Sequence, residues 1–129
     1  MSGSETTTDG VRVRVEPQFH PEESSPESGF WFFSYRVEII NEGDRAVRLV
    51  SRHWVIEDAM GHEEHVRGPG VVGQQPFLQP GESFEYRSAC PLPTSMGTMK
   101  GSYRMLLPDG EHFDAEIAAF TLVDPMSVN

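Results

Sequence analysis

The chain has almost no cysteine, no long apolar run and few cations, and each shortage removes a class of protein. With Cys90 as the single cysteine among 129 residues, no internal disulfide can form. Followed at once by Pro91 and closing an alternating run, Cys90 reads as core packing, not as a nucleophile. No apolar stretch approaches the ~18 residues of a membrane helix, so membrane insertion is not expected. Ten basic residues face twenty acidic ones, a net charge of −10, which excludes nucleic acid and anionic membrane surfaces as partners. Helical periodicity is missing throughout. Also missing are a G-x-S-x-G elbow, an H-E-x-x-H helix motif and a C-x-x-C pair, so catalysis is not expected and no cofactor is implied.

What is present reads as strands. Val11, Val13 and Val15 alternate with Arg12, Arg14 and Glu16. Residues 1–10, made of Ser, Thr, Gly and acid, read as a disordered leader with neither the basic nor the apolar region of a signal peptide, which predicts a cytoplasmic protein. Pro17 to Gly29 reads as an exposed loop. Trp31, Phe33, Tyr35, Val37 and Ile39 then share one face of the strongest strand, and Asn41-Glu42-Gly43-Asp44 reads as a hairpin turn. The run from Val47 to Ile56 is a strand with neither face purely polar. Asp58 to Gly61 turns the chain, and residues 62–75 form a loop or broken strand. Further strands are expected over 83–90, 98–107 and 113–123, the last two joined by Asp109-Gly110. The whole predicts a single domain over 11–125: an all-β, antiparallel β-sandwich of the fibronectin type III/immunoglobulin-like kind.

Between the strands stands Gly68-Pro69-Gly70-Val71-Val72-Gly73-Gln74-Gln75-Pro76, a G-x-G-x-x-G spacing. A dinucleotide site needs a helix after those glycines, and Pro76 with Gln79-Pro80-Gly81-Glu82 forbids one. Two readings remain. The glycines allow positive φ and a bulge in an edge strand. Alternatively, their amides converge into a nest for a phosphate, with Arg67, Arg52 and His53 nearby, which would make Gly68, Gly70 and Gly73 part of a pyrophosphate or nucleotide site.

Ser51-Arg52-His53-Trp54, the glycine run, Pro80-Gly81-Glu82-Ser83-Phe84-Glu85-Tyr86 and Gly97-Thr98-Met99-Lys100-Gly101-Ser102-Tyr103 together resemble the ApaG family, over roughly residues 11–123. The resemblance implies a fibronectin type III-like fold and a link to cobalt and magnesium resistance or efflux. It also implies interaction with a protein partner, as a related domain does in a eukaryotic F-box protein. Pro69 and Gln74 stand where the family often has acids, which removes negative charge beside the glycines.

Two further groups follow from residue type. His62-Glu63-Glu64-His65 carries imidazoles and carboxylates suited to zinc, cobalt or nickel, although on a strand His62 and His65 would point to opposite faces. Trp54 and Phe77 are candidates for an exposed partner-binding patch, in a homo-oligomer or with another protein.

Overall fold

The computed structural model describes residues 3–127. Two antiparallel sheets pack face to face, as the alternation predicts. One has the order β1 (Ser4–Thr8), β2 (Val11–Phe19), β3 (Trp31–Asn41), β7 (Ser83–Leu92). The other has the order β5 (Glu63–Pro69), β4 (Val47–Asp58), β8 (Met96–Leu106), β9 (His112–Val123), with the two-residue β6 (Phe77–Leu78) also on β4. The described residues contain no α-helix, only two 3₁₀ turns at Pro21–Glu23 and Pro26–Ser28. No helix is long and apolar enough to cross a membrane.

The alternating apolar residues meet between the sheets. Val11, Val13 and Val15 of β2 and Phe33, Tyr35, Val37 and Ile39 of β3 face Leu49, Trp54, Met99, Tyr103, Met105, Ile117 and Leu122. Trp54 lies at the centre, its ring edge-on to Tyr103 and Phe120 and tilted against Tyr35. Beside it the hydroxyls of Tyr86 and Tyr103 hydrogen-bond across the sheets, so each buried phenol satisfies the other.

Three expectations need correction. The leader is not wholly disordered: Ser4–Thr8 pair with β2 from Ser4↔Val15 to Thr8↔Val11. Ser4 Oγ donates to the Ala118 carbonyl, and Thr8 Oγ1 accepts the Glu116 amide, so β1 fastens one sheet to the edge of the other. A Ser/Thr strand has no apolar periodicity, and main-chain bonding of this kind leaves no mark in the sequence. Residues 41–44 are not a hairpin either, because β3 and β4 belong to different sheets. The buried Asn41 organises this crossing: its amide donates to the carbonyls of Arg45 and Leu78, and its Oδ1 accepts the Gly43 amide. Its carbonyl receives the Gly81 amide, which ties the Pro80-Gly81-Glu82 turn to the same point. Finally, the loop expected over 17–29 begins later, since β2 runs on to Phe19.

Candidate functional site

The glycine run is an excursion from an edge strand. β5 before it and β6 after it both pair with β4, so the chain leaves the sheet at Pro69 and returns at Phe77. Gly70 has φ +58° and Gly73 φ +80°. A Cβ on Gly70 would stand 2.1 Å from the Gln74 carbonyl oxygen, whereas one on Gly73 would meet open space. Three of the loop's amides are already spent. Gly70 donates to the Val50 carbonyl at 2.9 Å, and Val71 and Gln74 exchange a pair of bonds at 2.8 and 2.9 Å. A phosphate nest that used the Gly70, Val71 or Gln74 amides would have to break these bonds. Val72 adopts φ +43° with its side chain exposed, a conformation a β-branched residue rarely takes.

Arg52 explains Gly68. The two residues are paired across the sheet and share its inner face, and a Cβ on Gly68 would lie 2.9–3.1 Å from the Arg52 guanidinium. The bare backbone lets that side chain lie across β5, where it donates to the carbonyls of Pro69 and Gly70, each at 2.9 Å. Arg52 thus braces the loop.

On the outer face of the same sheet the register assembles a different group. His53 stands opposite Arg67 on one side and Ser102 on the other. Ser51 stands opposite Arg104, and Arg104 opposite Asp114. These six residues, with Arg52 and Gly68, line a depression of about 360 Å³. It takes three of the chain's nine arginines. Arg104 touches Asp114 at 3.5 Å, while Arg67 has no carboxylate partner among the described residues. The other sheet's outer face differs: Arg12, Arg14 and Arg36 are all engaged there by Glu5, Glu16, Glu38, Glu42 and Glu85. In the depression Arg67 therefore keeps its charge unpaired by a carboxylate, as does Arg87 opposite Arg36 on the other sheet, among the described residues.

His53 stacks on His65, with Nε2 of the first 2.8 Å from Nδ1 of the second. His65 Nε2 in turn lies 2.9 Å from a Glu63 carboxylate oxygen. Burial, the Arg67 charge and His65 all hold His53 below the ordinary imidazole range. The expected His62–His65 metal pair is not formed. His62 precedes the strand and turns back to the Asp58 carboxylate at 3.3 Å, while His65 faces His53 from within it. The partner patch is also revised. Trp54 is 3% exposed and belongs to the core; Phe77 is 47% exposed, with the Arg48 guanidinium 5.0 Å above its ring. Arg104, Ser51 and Ser102 were not singled out by sequence reading. The signal for them was the strand register, because alternate residues on β4 and β8 must share the outer face with His53.

The sequence profile of the ApaG domain matches residues 21–107. The chain belongs to the ApaG family. It is 53% identical over 126 residues to protein ApaG of Anaeromyxobacter dehalogenans strain 2CP-C, covering 98% of this chain and 99% of that one. With protein ApaG of Methylobacterium sp. strain 4-46 it shares 56% identity over 118 residues, covering 92% and 91%. The crystal structure of the ApaA protein from Bordetella pertussis superposes with a TM-score of 0.87 at 46% identity, covering 91% and 95% of the two chains. Family membership therefore extends well beyond the glycine run, to nearly the full sandwich.

Proposed function

We propose that this ApaG-family domain is a non-catalytic binding module that takes the phosphoryl group of a ligand in the depression between β5, β4, β8 and β9. The observation that carries the reading is the convergence of Arg67, His53, Arg104, Ser51 and Ser102 in one cavity of a chain whose net charge is −10. Guanidinium groups bind phosphate oxygens through paired N–H donors, serine hydroxyls add neutral donors, and a neutral imidazole supplies one more. Pyrophosphate or a nucleoside polyphosphate has the matching chemistry. A nucleophilic role is not supported, because serine attack needs an imidazole hydrogen-bonded to the hydroxyl and His53 is bonded to His65 instead. The buried Cys90 thiol, pushed up to about 11 chiefly by its burial, is poorly suited to attack as well. At this depression a role in the divalent-cation homeostasis implied by the family would run through a partner carrying such a group, since arginines repel a metal ion.

Isothermal titration with pyrophosphate tests this. Arg67→Ala and Arg104→Ala should each weaken binding by roughly tenfold or more, because a hydrogen bond to a charged group contributes about 1.5–3 kcal/mol. Arg36→Ala, on the opposite face, should leave it unchanged. Absence of heat at millimolar pyrophosphate, or equal affinity in all three variants, would refute the proposal.

A further inference from the structure

We infer that His20, Glu22 and Glu23 form a binding site for a divalent transition-metal ion of the zinc type, on the face remote from the arginine depression. The local sequence His20-Pro21-Glu22-Glu23 sets the geometry. Pro21 opens a 3₁₀ turn that swings both glutamates back toward the imidazole. His20 Nδ1 lies 3.3 Å from Glu22 Oε1 and 3.6 Å from Glu23 Oε2, and one ligand atom from each residue falls within 4.8 Å of the other two. One imidazole and two carboxylates are a donor set that zinc, cobalt and nickel accept, at about 2.0–2.2 Å per bond. Small side-chain rotations would bring these atoms to that distance around one ion, with water completing the shell.

Two observations outside the cluster support a metal over a solvated acidic turn. First, the imidazole is oriented from a neighbouring strand. Its Nε2 is 2.6 Å from Ser34 Oγ on β3, and its ring stands edge-on to Phe32. With Ser34 accepting the Nε2 proton, Nδ1 presents its lone pair to the carboxylates, the second-shell arrangement that metal-bound histidines use. The backbone beneath is pinned to the same strand: the His20 amide donates to the Phe32 carbonyl at 3.0 Å, and Ser24 Oγ accepts the Phe32 amide at 2.9 Å. Second, the negative charge is uncompensated. Among the described residues no arginine or lysine meets Glu22 or Glu23, and the ion-pair contacts of both run to His20 itself. A lone pair flanked by two carboxylates that no arginine or lysine meets is stabilised by a cation.

The experiment is titration of the metal-free full-length chain with zinc by calorimetry, and with cobalt by its visible absorption, near neutral pH. One equivalent should bind. His20→Ala and the double change Glu22→Gln/Glu23→Gln should each weaken binding at least tenfold. The glutamine pair retains the turn's backbone bonds, so its loss of binding cannot be ascribed to misfolding. His53→Ala/His65→Ala should bind as the unmodified chain does. Unchanged affinity in His20→Ala, loss confined to the His53/His65 variant, or no binding at submillimolar metal would each overturn the assignment.

Discussion

Substituting alanine for Gly70 and, separately, for Gly73 divides the two demands that the glycine run places on the backbone. Both positions have positive φ, so either alanine incurs the left-handed cost of about 1–2 kcal/mol. Gly73 has nothing near its would-be Cβ, and Gly73→Ala should cost only that amount. At Gly70 the new methyl would stand 2.1 Å from the Gln74 carbonyl oxygen, a separation no van der Waals contact allows. Relief requires moving Gln74, which forfeits one or both of the bonds exchanged with Val71, each contributing about 1 kcal/mol. Gly70→Ala should therefore cost about 2–4 kcal/mol, against about 1–2 for Gly73→Ala. Near 4 °C of Tm per kcal/mol for a domain of this size, the difference is easily resolved. Urea unfolding followed by tryptophan fluorescence gives both values directly. Equal costs would show that close approach plays no part and that the loop relaxes freely. A Gly73→Ala protein that is stable yet no longer binds pyrophosphate would return the phosphate site to the loop amides.

Two further outcomes follow from buried or capped groups. Tyr103→Phe deprives the buried Tyr86 hydroxyl of its cross-sheet partner and should cost about 1–3 kcal/mol, while Tyr86→Phe/Tyr103→Phe should cost less than the sum of the single changes; additive costs measured by denaturation would contradict a shared bond. For Asp58, burial opposes the charge, but the amides of His62 and Met60 and the His62 ring outweigh it and hold the carboxyl below its ordinary value. A lowered folded-state pKa means that the contribution is complete above the unfolded carboxylate range, near pH 4, and is lost as pH falls through the folded value. Asp58→Asn should accordingly flatten the acid limb of a Tm-versus-pH profile, and an unaltered limb would refute the linkage.

Several elements were legible because one physical cause dominates them. Alternation of valines and aromatics on β2 and β3 fixes which face is buried, since a one-residue slip would expose every core side chain. Asp109-Gly110 announces the β8–β9 hairpin because its backbone must enter φ > 0 at Gly110. Asn41-Glu42-Gly43-Asp44 carries a similar composition and yet crosses between sheets; the deciding bonds come from Leu78, Gly81 and Glu82, about forty residues away. The strand Ser4–Thr8 escaped notice for a related reason, being held by main-chain bonds to β2 and polar contacts to β9.

By itself the sequence determined the fold class, the family and the core faces of β2 and β3, because burial acts residue by residue along such strands and writes a period of two into the chain. It also named Arg52, His53, Arg67 and Gly68, which the register places at one depression. Only tertiary structure decided how those residues divide, with Arg52 and Gly68 bracing the loop from the inner face and His53 and Arg67 joining Ser51, Ser102 and Arg104 outside. Tertiary structure likewise buried Trp54, separated His62 from His65, and turned Ser34 of a neighbouring strand onto the His20 ring. Those outcomes rest on which strand lies beside which, and non-local pairing is chosen by the energy of the whole sandwich and not by any segment's own preference.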